Sequence, residues 1–429
     1  MALNRLIRSS TIALIVLAVV GMCGCGRNAP ILTVHSEPSP AVAASLVPQV
    51  TSLSNGRTLL SWQRPLEGGG YAFEMAIRDR NGWSDVRTIA AGTSLSMFSA
   101  DLPAVATLPN GHLLAYWELK DPRDGDAYAT TIQTATSDDE GRSWSRAVTP
   151  YAEEYSGQHS FLSWFPSNNG IGLLWLDADE RSKMRHASMH HGMNDGNHDM
   201  GSIGLRYAAL NSKGEVVQES FVDPITCECC PTSAAVTHRG PVVAYRNRDE
   251  APGTKPAQVE SARPTVRDIY VARLENGKWA TPRRVHADNW VIDACPDNGP
   301  SVDAIGNDVV VAWWTRSNDQ PKVEVAFSAD SGDTFGQPIR VDTERGEGQV
   351  TVVLLPGGKS AIVGWLEGGS TWARYVTNEE AMSLPTALGP SPMHSRLPRW
   401  VLQGEHDVAA VWTSKRQEHP GIEVSRITF

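Results

Sequence analysis

The four cysteines in the body of the chain have its most reactive side chains, and their spacing bears on whether they form disulfides or bind a metal ion. Cys227, Cys229 and Cys230 lie within four residues, and Cys295 follows much later. An even number of cysteines is typical of disulfides in an exported protein, here a bridge between Cys295 and one of the other three. Thiolates also bind soft metal ions, of which copper is the candidate in an exported protein. The spacing C-x-C-C is not a standard zinc pattern, so both interpretations stay open.

A second set of candidate metal ligands lies between Met184 and Met200, a segment with four methionines and four histidines in 17 residues. Thioether and imidazole groups together suit copper in an oxidising compartment. The alternative is a polar loop that binds no metal. The candidate ligands are His186, Met189, His190, His191, Met193, His198 and Met200.

The first 25 residues are typical of a bacterial export signal. Arg5 and Arg8 precede an apolar run, Thr11–Val20, that is too short to span a bilayer of about 30 Å. Cys25 follows a small residue directly after this run, which resembles the lipobox of bacterial lipoproteins. We therefore expect lipidation of Cys25 and a cell-envelope location, facing the periplasm or in the outer membrane.

Composition narrows the class of protein further. The chain has 429 residues, of which 41% are hydrophobic and 20% charged, as in globular proteins. Its formal net charge of -10 gives no electrostatic support for nucleic-acid binding. The partners expected from sequence are thus a membrane, through the lipid anchor, and a glycan or other anionic ligand.

An apolar strand that ends in an aromatic residue recurs along the chain and organises it. Four short strands in each unit of about 50 residues are typical of a β-propeller. We predict an all-β, single-propeller body over 47–429, with seven blades and six as the alternative. Residues 26–46 read as a tether, of which Ile31–His35 could supply the missing fourth strand of the last blade. The copies are Leu59–Trp62, Leu113–Trp117, Gly172–Trp175, Val242–Tyr245, Val310–Trp313, Ala361–Trp365 and Val408–Trp412.

Two short segments sharpen the fold prediction. Ser137–Trp144 reads S-x-D-x-G-x-x-W, and Ser328–Phe335 reads S-x-D-x-G-x-T-F. Both suit a tight hairpin in which the Ser and Asp side chains bond free backbone N–H groups. They resemble the Asp boxes, or BNR repeats, of the sialidase-like propeller superfamily. The resemblance implies structural turns away from the catalytic face, so Asp139 and Asp330 are left out of the candidate site.

The catalytic residues of a sialidase do not transfer to this sequence. The family binds a substrate carboxylate with an arginine clamp that begins at an F/Y-R-I/L-P motif, and no match precedes Asp139. No Tyr–Glu nucleophile pair can be assigned either. Our first hypothesis is a ligand-binding or copper-associated envelope protein. The alternatives are a divergent exo-α-sialidase or other glycoside hydrolase that cleaves terminal sugars, and an envelope scaffold for protein assembly.

Residues that precede first strands or follow second strands should surround one mouth of the propeller. Carboxylates and guanidiniums there suit a polar or anionic ligand, with a surface ion-pair network as the alternative. An imidazole from His159 or His394 could join the thiolates in a metal site. The ligand-binding candidates are Asp101, His159, Asp177, Arg246, Arg248, Asp297 and Arg396.

Two cysteine segments fall at equivalent positions of successive units. They read Cys-Cys-Pro-Thr at 229–232 and Cys-Pro-Asp-Asn-Gly-Pro at 295–300. The sequence thereby resembles a bacterial subgroup of sialidase-like exported lipoproteins. This resemblance bears on the fold and implies no particular reaction.

Overall fold

The computed structural model describes residues 29–53, 56–97, 102–122, 129–151, 157–178, 203–250, 265–292, 294–391, 398–414 and 420–429. These residues form β-strands, turns and one short 3-10 turn, Ser317–Asp319. No helix in these ranges is long and apolar enough to cross a membrane.

Seven antiparallel sheets form the blades of a β-propeller, and the strands follow in chain order in every blade except the last, whose outer strand comes from the start of the chain. The first strand of each blade contacts the first strands of the two neighbouring blades, and this series of contacts closes into a ring. The seven predicted copies all lie on second strands, so the seven-bladed prediction is confirmed. This repeat explains how one body accommodates a chain of this length, because each blade packs mainly on its neighbours.

The strands of blades 1 to 4 follow in order from the first strand outward. Blade 1 contains Leu46–Ser52, Thr58–Pro65, Tyr71–Asp79 and Arg87–Gly92, with the short Gly82–Trp83 beside the third strand. Blade 2 contains Ala104–Thr107, Leu113–Lys120 and Thr130–Ser137. Blade 3 contains His159–Ser167, Gly170–Ala178, Ile203–Asn211 and Val216–Thr226. Blade 4 contains Ser233–Thr237, Gly240–Arg246 and Ile269–Glu275, with the short Lys278–Trp279 and Arg283–Arg284 on its outer side.

Blades 5 to 7 complete the ring. Blade 5 contains Ser301–Ile305, Asp308–Thr315, Lys322–Ser328 and Ile339–Arg340. Blade 6 contains Gly348–Leu354, Ser360–Glu367, Ser370–Thr377 and Thr386–Pro390. Blade 7 contains Arg399–Leu402, Asp407–Ser414, Gly421–Thr428 and Thr33–Glu37. A small separate sheet contains Asp249–Glu250, Thr265–Val266 and Val291–Ile292.

The outer strand of blade 7 comes from the opposite end of the sequence. Thr33–Glu37 pairs antiparallel with Gly421–Thr428, from Thr33 opposite Thr428 to Glu37 opposite Val424. This strand begins two residues later than the segment suggested by the sequence. Its pairing covers an edge that three strands alone would leave exposed, and it fastens the first blade to the last.

The hydrophobic core lies between the blades. One cluster joins Val310 and Val325 of blade 5 to Val352 and Trp365 of blade 6, and the other blade interfaces contain similar clusters. Large side chains fill these interfaces because each sheet packs on both of its faces. The tryptophans that end the repeated segments on second strands and are almost fully buried are Trp62, Trp175, Trp313, Trp365 and Trp412.

The two predicted hairpins form equivalent turns. The Ser137 and Ser328 hydroxyls accept bonds from the backbone N–H of Gly141 (2.7 Å) and Gly332 (3.0 Å). Asp139 accepts backbone and hydroxyl bonds from Ser143, and these bonds lower the pKa of Asp139. Both turns follow third strands, which places them on the face opposite the starts of the first strands. The two aspartates therefore stabilise turns far from the candidate site.

Candidate metal centre

Two loops on one face of the ring bring the four cysteines together. Cys227, Cys229 and Cys230 lie between the last strand of blade 3 and the first strand of blade 4, and Cys295 lies between blades 4 and 5. Both loops lead into first strands, at the mouth predicted from the repeat. The backbone N–H of Cys227 donates to the carbonyl of Arg246 (3.1 Å), which ties the first loop to the end of a second strand.

The sulfur atoms of this loop converge. Cys227 Sγ lies 3.3 Å from Cys230 Sγ and 3.8 Å from Cys229 Sγ. Cys227 and Cys230 are buried, Cys229 is half-buried, and Cys295 is exposed but within hydrogen-bonding reach of Cys229. All four cysteines are free in the structure, and the sulfur atoms of the 227–230 loop lie close to one another.

A close contact between the two loops fixes their relative position. A Cβ atom on Gly299 would lie 1.9 Å from the carbonyl oxygen of Pro231, so only glycine fits there. The neighbouring Asn298 accepts a bond from Gln349 N (2.7 Å) and donates to the carbonyl of Pro296 (3.1 Å). These contacts explain the Asn-Gly-Pro residues that follow Cys295.

Basic side chains surround the sulfur atoms. Arg267 forms a bidentate pair with Glu228 (2.9 and 3.3 Å), and Arg248 lies 3.6 Å from the same carboxylate. The small separate sheet positions this pair, because Arg267 directly follows its middle strand, Thr265–Val266. Three arginines, Arg246 included, thus lie near the cluster with one carboxylate among them.

Arg246 is almost fully buried, at 1% exposed. Its guanidinium donates to the carbonyls of Asn298 (2.9 and 2.8 Å), Arg267 (2.5 Å) and Trp314 (2.7 Å), and it lies 5.1 Å from the Trp290 ring centre. Within the described residues, every hydrogen-bond acceptor of this cation is a neutral carbonyl. A buried charge without a carboxylate favours an anion nearby, and the thiolates can supply one.

The thiols respond unequally to these surroundings. Burial opposes ionisation of Cys227, but hydrogen bonds from Cys229 and Cys230 and the charge of Arg267 lower the pKa of the Cys227 thiol well below its ordinary value. The pKa of Cys229 is raised, chiefly by its hydrogen bond to Cys227, and burial raises the pKa of Cys230. The cluster therefore ionises first at Cys227, and a thiolate is the form that attacks or binds a metal.

The other predicted site residues fall into two groups. His159 Nε2 lies 3.7 Å from an Asp177 carboxylate oxygen, and both side chains are fully buried. The His159 ring stacks on Tyr151, and Asp177 accepts bonds from Trp175 and Arg206. Burial lowers the pKa of His159. His159 Nδ1 also lies 2.7 Å from the carbonyl of Thr130 on blade 2, so this histidine is buried where blades 2 and 3 meet.

Arg246, Arg248 and Asp297 lie near the cysteine loops instead. Asp297 is exposed, and its carbonyl accepts a bond from Gln349 Nε2 (2.8 Å). The remaining candidates lie outside the described residues, namely Cys25, Asp101, His186, Met189, His190, His191, Met193, His198, Met200, His394 and Arg396.

Sequence reasoning missed the Glu228–Arg267 pair. Glu228 stands between two of the cysteines, and that position was a usable signal. Arg267 lies 39 residues away and meets Glu228 only through the folding of the loop after the second strand of blade 4.

Comparison with known proteins bears on the fold alone. No family model matches the chain, and no curated protein matches it. A solved structure of a Dyadobacter fermentans protein of unknown function has 15% identity and a TM-score of 0.49, and the match covers 93% of this chain and 98% of that one. The K499G mutant of the NanB sialidase from Streptococcus pneumoniae has 11% identity and a TM-score of 0.42, and the match covers 92% of this chain and 70% of that one. The phage phi92 endosialidase has 9% identity and a TM-score of 0.46, and the match covers 93% of this chain and 69% of that one. At such distances the functional argument rests on this chain's own geometry.

Proposed function

We propose that this protein is an exported, lipid-anchored propeller that binds copper(I) through Cys227, Cys229 and Cys230. The observation that carries the proposal is the convergence of three sulfur ligands within 4.8 Å of one another. Thiolates select soft ions, copper(I) and zinc among them. Structural zinc takes four ligands, so a zinc site would need Cys295 in addition to the three thiols of this loop, whereas the copper(I) site proposed here uses those three alone.

The charge of the surroundings supports the same ion. A copper(I) ion with three thiolates carries two net negative charges. Arg246, Arg248 and Arg267 contribute three positive charges, and Glu228 contributes one negative charge, so the arginines balance the bound cluster. Without an anion, the buried Arg246 would have only backbone carbonyls and the Trp290 ring as partners among the described residues.

An anaerobic competition titration tests the proposal. Full-length protein, extracted in detergent and reduced, is titrated with copper(I) against a chromophoric chelator. We expect one equivalent to bind, and we expect Cys227→Ser to weaken binding by about 100-fold, because it removes the most acidic of the thiols. The control is Cys295→Ser, which removes the exposed thiol and should change the affinity by less than about fivefold.

Two results would overturn the copper proposal. One is a wild-type protein that takes no copper(I) from the chelator. The other is a Cys227→Ser protein that binds copper(I) as the wild type does.

Disulfide formation stays a prediction. It is tested by counting the free thiols of protein taken from the envelope without reductant.

Two buried tyrosines are unsuited to be the nucleophile of the glycoside hydrolase alternative. A tyrosine nucleophile needs an accessible hydroxyl that ionises readily. Tyr245 is buried, its hydroxyl donates to Asp223 (2.7 Å), and burial raises the pKa of its phenol well above the ordinary value. Burial likewise raises the pKa of Tyr116. Both phenols are thus held in the neutral form.

The anchor has its own test. Cys25→Ser should move the protein from the membrane fraction to the soluble fraction of lysed cells, because the substitution removes the acylated thiol. Unchanged membrane association would refute lipidation at Cys25 and leave the copper proposal untouched.

A further inference from the structure

We propose a second metal site, for a divalent first-row transition-metal ion, formed by His286, Asp288 and Glu324 where blades 4 and 5 meet. One ligand atom from each residue lies within 4.8 Å of the other two. His286 and Asp288 follow the outermost strand of blade 4, Arg283–Arg284, and Glu324 lies on the third strand of blade 5. His286 and Asp288 share one loop, and Glu324 comes from a separate part of the chain, so only the blade interface brings it to the other two.

The distances suit coordination. His286 Nδ1 lies 2.8 Å from Asp288 Oδ1. Two ligand atoms that each bind one ion at about 2.1 Å lie about 3 Å from each other. The separation of His286 Nδ1 and Asp288 Oδ1 therefore allows both atoms to bind the same ion. The other oxygen, Asp288 Oδ2, accepts a bond from Trp313 Nε1 (2.8 Å). Such a bond to the outer oxygen of a ligand carboxylate fixes its orientation.

Glu324 supplies the observation that points to a ligand. Its side chain is 8% exposed, and Oε1 accepts a bond from Lys322 Nζ (2.7 Å). Oε2 is buried and has no hydrogen-bond partner among the described residues. A buried carboxylate oxygen without a partner is costly and calls for an explanation, which a bound cation provides.

Blade 1 shows the arrangement in which such a glutamate is satisfied. Glu74 stands opposite Trp62 on neighbouring strands, as Glu324 stands opposite Trp313. Trp62 Nε1 donates to Glu74 Oε2 (3.0 Å), and Arg64 donates twice to Oε1 (2.9 and 2.7 Å). In blade 5 the tryptophan donates instead to Asp288, and this change leaves Glu324 Oε2 available.

The donor set defines the class of ion. One imidazole nitrogen and two carboxylate oxygens suit manganese, iron(II) or zinc, and not the soft ion proposed for the cysteines. The His286 side chain is 35% exposed, so water can reach the remaining coordination positions. Two carboxylates and one lysine leave a single negative charge to attract the cation.

Titration of the full-length protein with Mn²⁺, followed by the loss of the free-ion EPR signal, tests the site. We expect one equivalent to bind, and we expect Glu324→Gln and His286→Ala each to weaken binding by at least about tenfold. The matched control is Glu74→Gln, an equally buried glutamate at the equivalent position, which should leave Mn²⁺ binding unchanged. Thermal melting of each variant shows whether it is folded.

A second titration uses Zn²⁺ and the variant Cys227→Ser/Cys229→Ser/Cys230→Ser, in which zinc cannot bind to the thiols of that loop. The proposal is overturned if neither ion binds. It is also overturned if folded Glu324→Gln and His286→Ala proteins bind the ions as the wild type does, because binding would then lie elsewhere. If Glu324→Gln fails to fold, His286→Ala decides the question, since its side chain is partly exposed.

Discussion

The cysteine cluster between blades 3 and 4 and the His286–Asp288–Glu324 cluster between blades 4 and 5 lie on one face of the ring, one blade apart. The first offers sulfur ligands surrounded by arginines, and the second offers nitrogen and oxygen ligands beside one lysine. The first is formed within one short loop, whereas the second needs residues from two blades. Neighbouring positions on one face of a repeating fold can thus carry ligands of opposite chemical character.

The strongest way to break this comparison is to remove the sulfur ligands altogether. The variant Cys227→Ser/Cys229→Ser/Cys230→Ser should lose copper(I) affinity by about 1,000-fold or more, because serine is a poor ligand for a soft ion. Its Mn²⁺ affinity should stay within about twofold of wild type, since the two donor sets share no residue. Parallel titrations measure both values. A matching loss of Mn²⁺ binding would show that the clusters are one site.

A substitution with a smaller expected effect changes the position of the cysteine loops and leaves every proposed metal-binding residue in place. Gly299→Ala places a Cβ atom 1.9 Å from the Pro231 carbonyl oxygen, so the loops must separate. We expect about 1 to 3 kcal/mol less stability in urea unfolding and about tenfold weaker copper(I) binding. Mn²⁺ binding should not change. Gly68→Ala is the control, because no atom lies within 4 Å of its added Cβ.

Equal copper(I) affinity in Gly299→Ala and wild type would contradict the expectation that both loops position the thiols. A drop in stability with unchanged copper binding would confine the role of Gly299 to folding.

The smallest expected effect is a difference in stability between two carboxylates. Glu367 accepts hydrogen bonds at both oxygens, whereas one oxygen of Glu324 has no hydrogen-bond partner among the described residues. Hydrogen bonds from Thr343 and Trp365 outweigh burial and lower the pKa of Glu367 to about 2. Stability from this group is therefore present above its ordinary pKa of about 4.5 and is lost as pH falls toward 2. Burial instead raises the pKa of Glu324, so its charged form costs stability as pH rises.

We expect Glu367→Gln to lower the free energy of unfolding by about 1 to 2 kcal/mol at pH 7, and by less at pH 3. Glu324→Gln without metal should not lower it at pH 7. Urea unfolding at both pH values, with the exposed Glu405→Gln as control, measures the difference. Equal losses in Glu367→Gln and Glu324→Gln would contradict the distinction between the two carboxylates.

The repeat could be predicted from sequence because the second strand of every blade needs the same pattern of apolar and aromatic residues. A second strand packs on both faces and carries an aromatic side chain after its apolar run, so Leu113–Trp117 and Val310–Trp313 look alike without any alignment. The turns at Asp139 and Asp330 were readable for the same reason, since their hydrogen bonds stay within eight residues of the chain.

The site was only partly readable. The cysteine spacing showed that three thiols lie close together, because C-x-C-C allows no large separation. It did not show that Arg267 or the carbonyl-bound Arg246 would face them. His159 and Asp177 were expected to line the mouth from their strand positions, but the structure buries both side chains completely. Nor did the spacing show that His286 would meet Glu324, which lies 38 positions away in the sequence.

The sequence by itself determined the repeating strands, the seven-bladed ring and the identity of the reactive side chains. These depend on local hydrophobic pattern and on residue type, both of which act over a few positions. Only the tertiary structure decided which charges surround the thiols, which carboxylate oxygen stays unbonded and which histidine it meets. Those outcomes depend on contacts between loops and blades far apart in the chain, and such contacts exist only once the ring has closed.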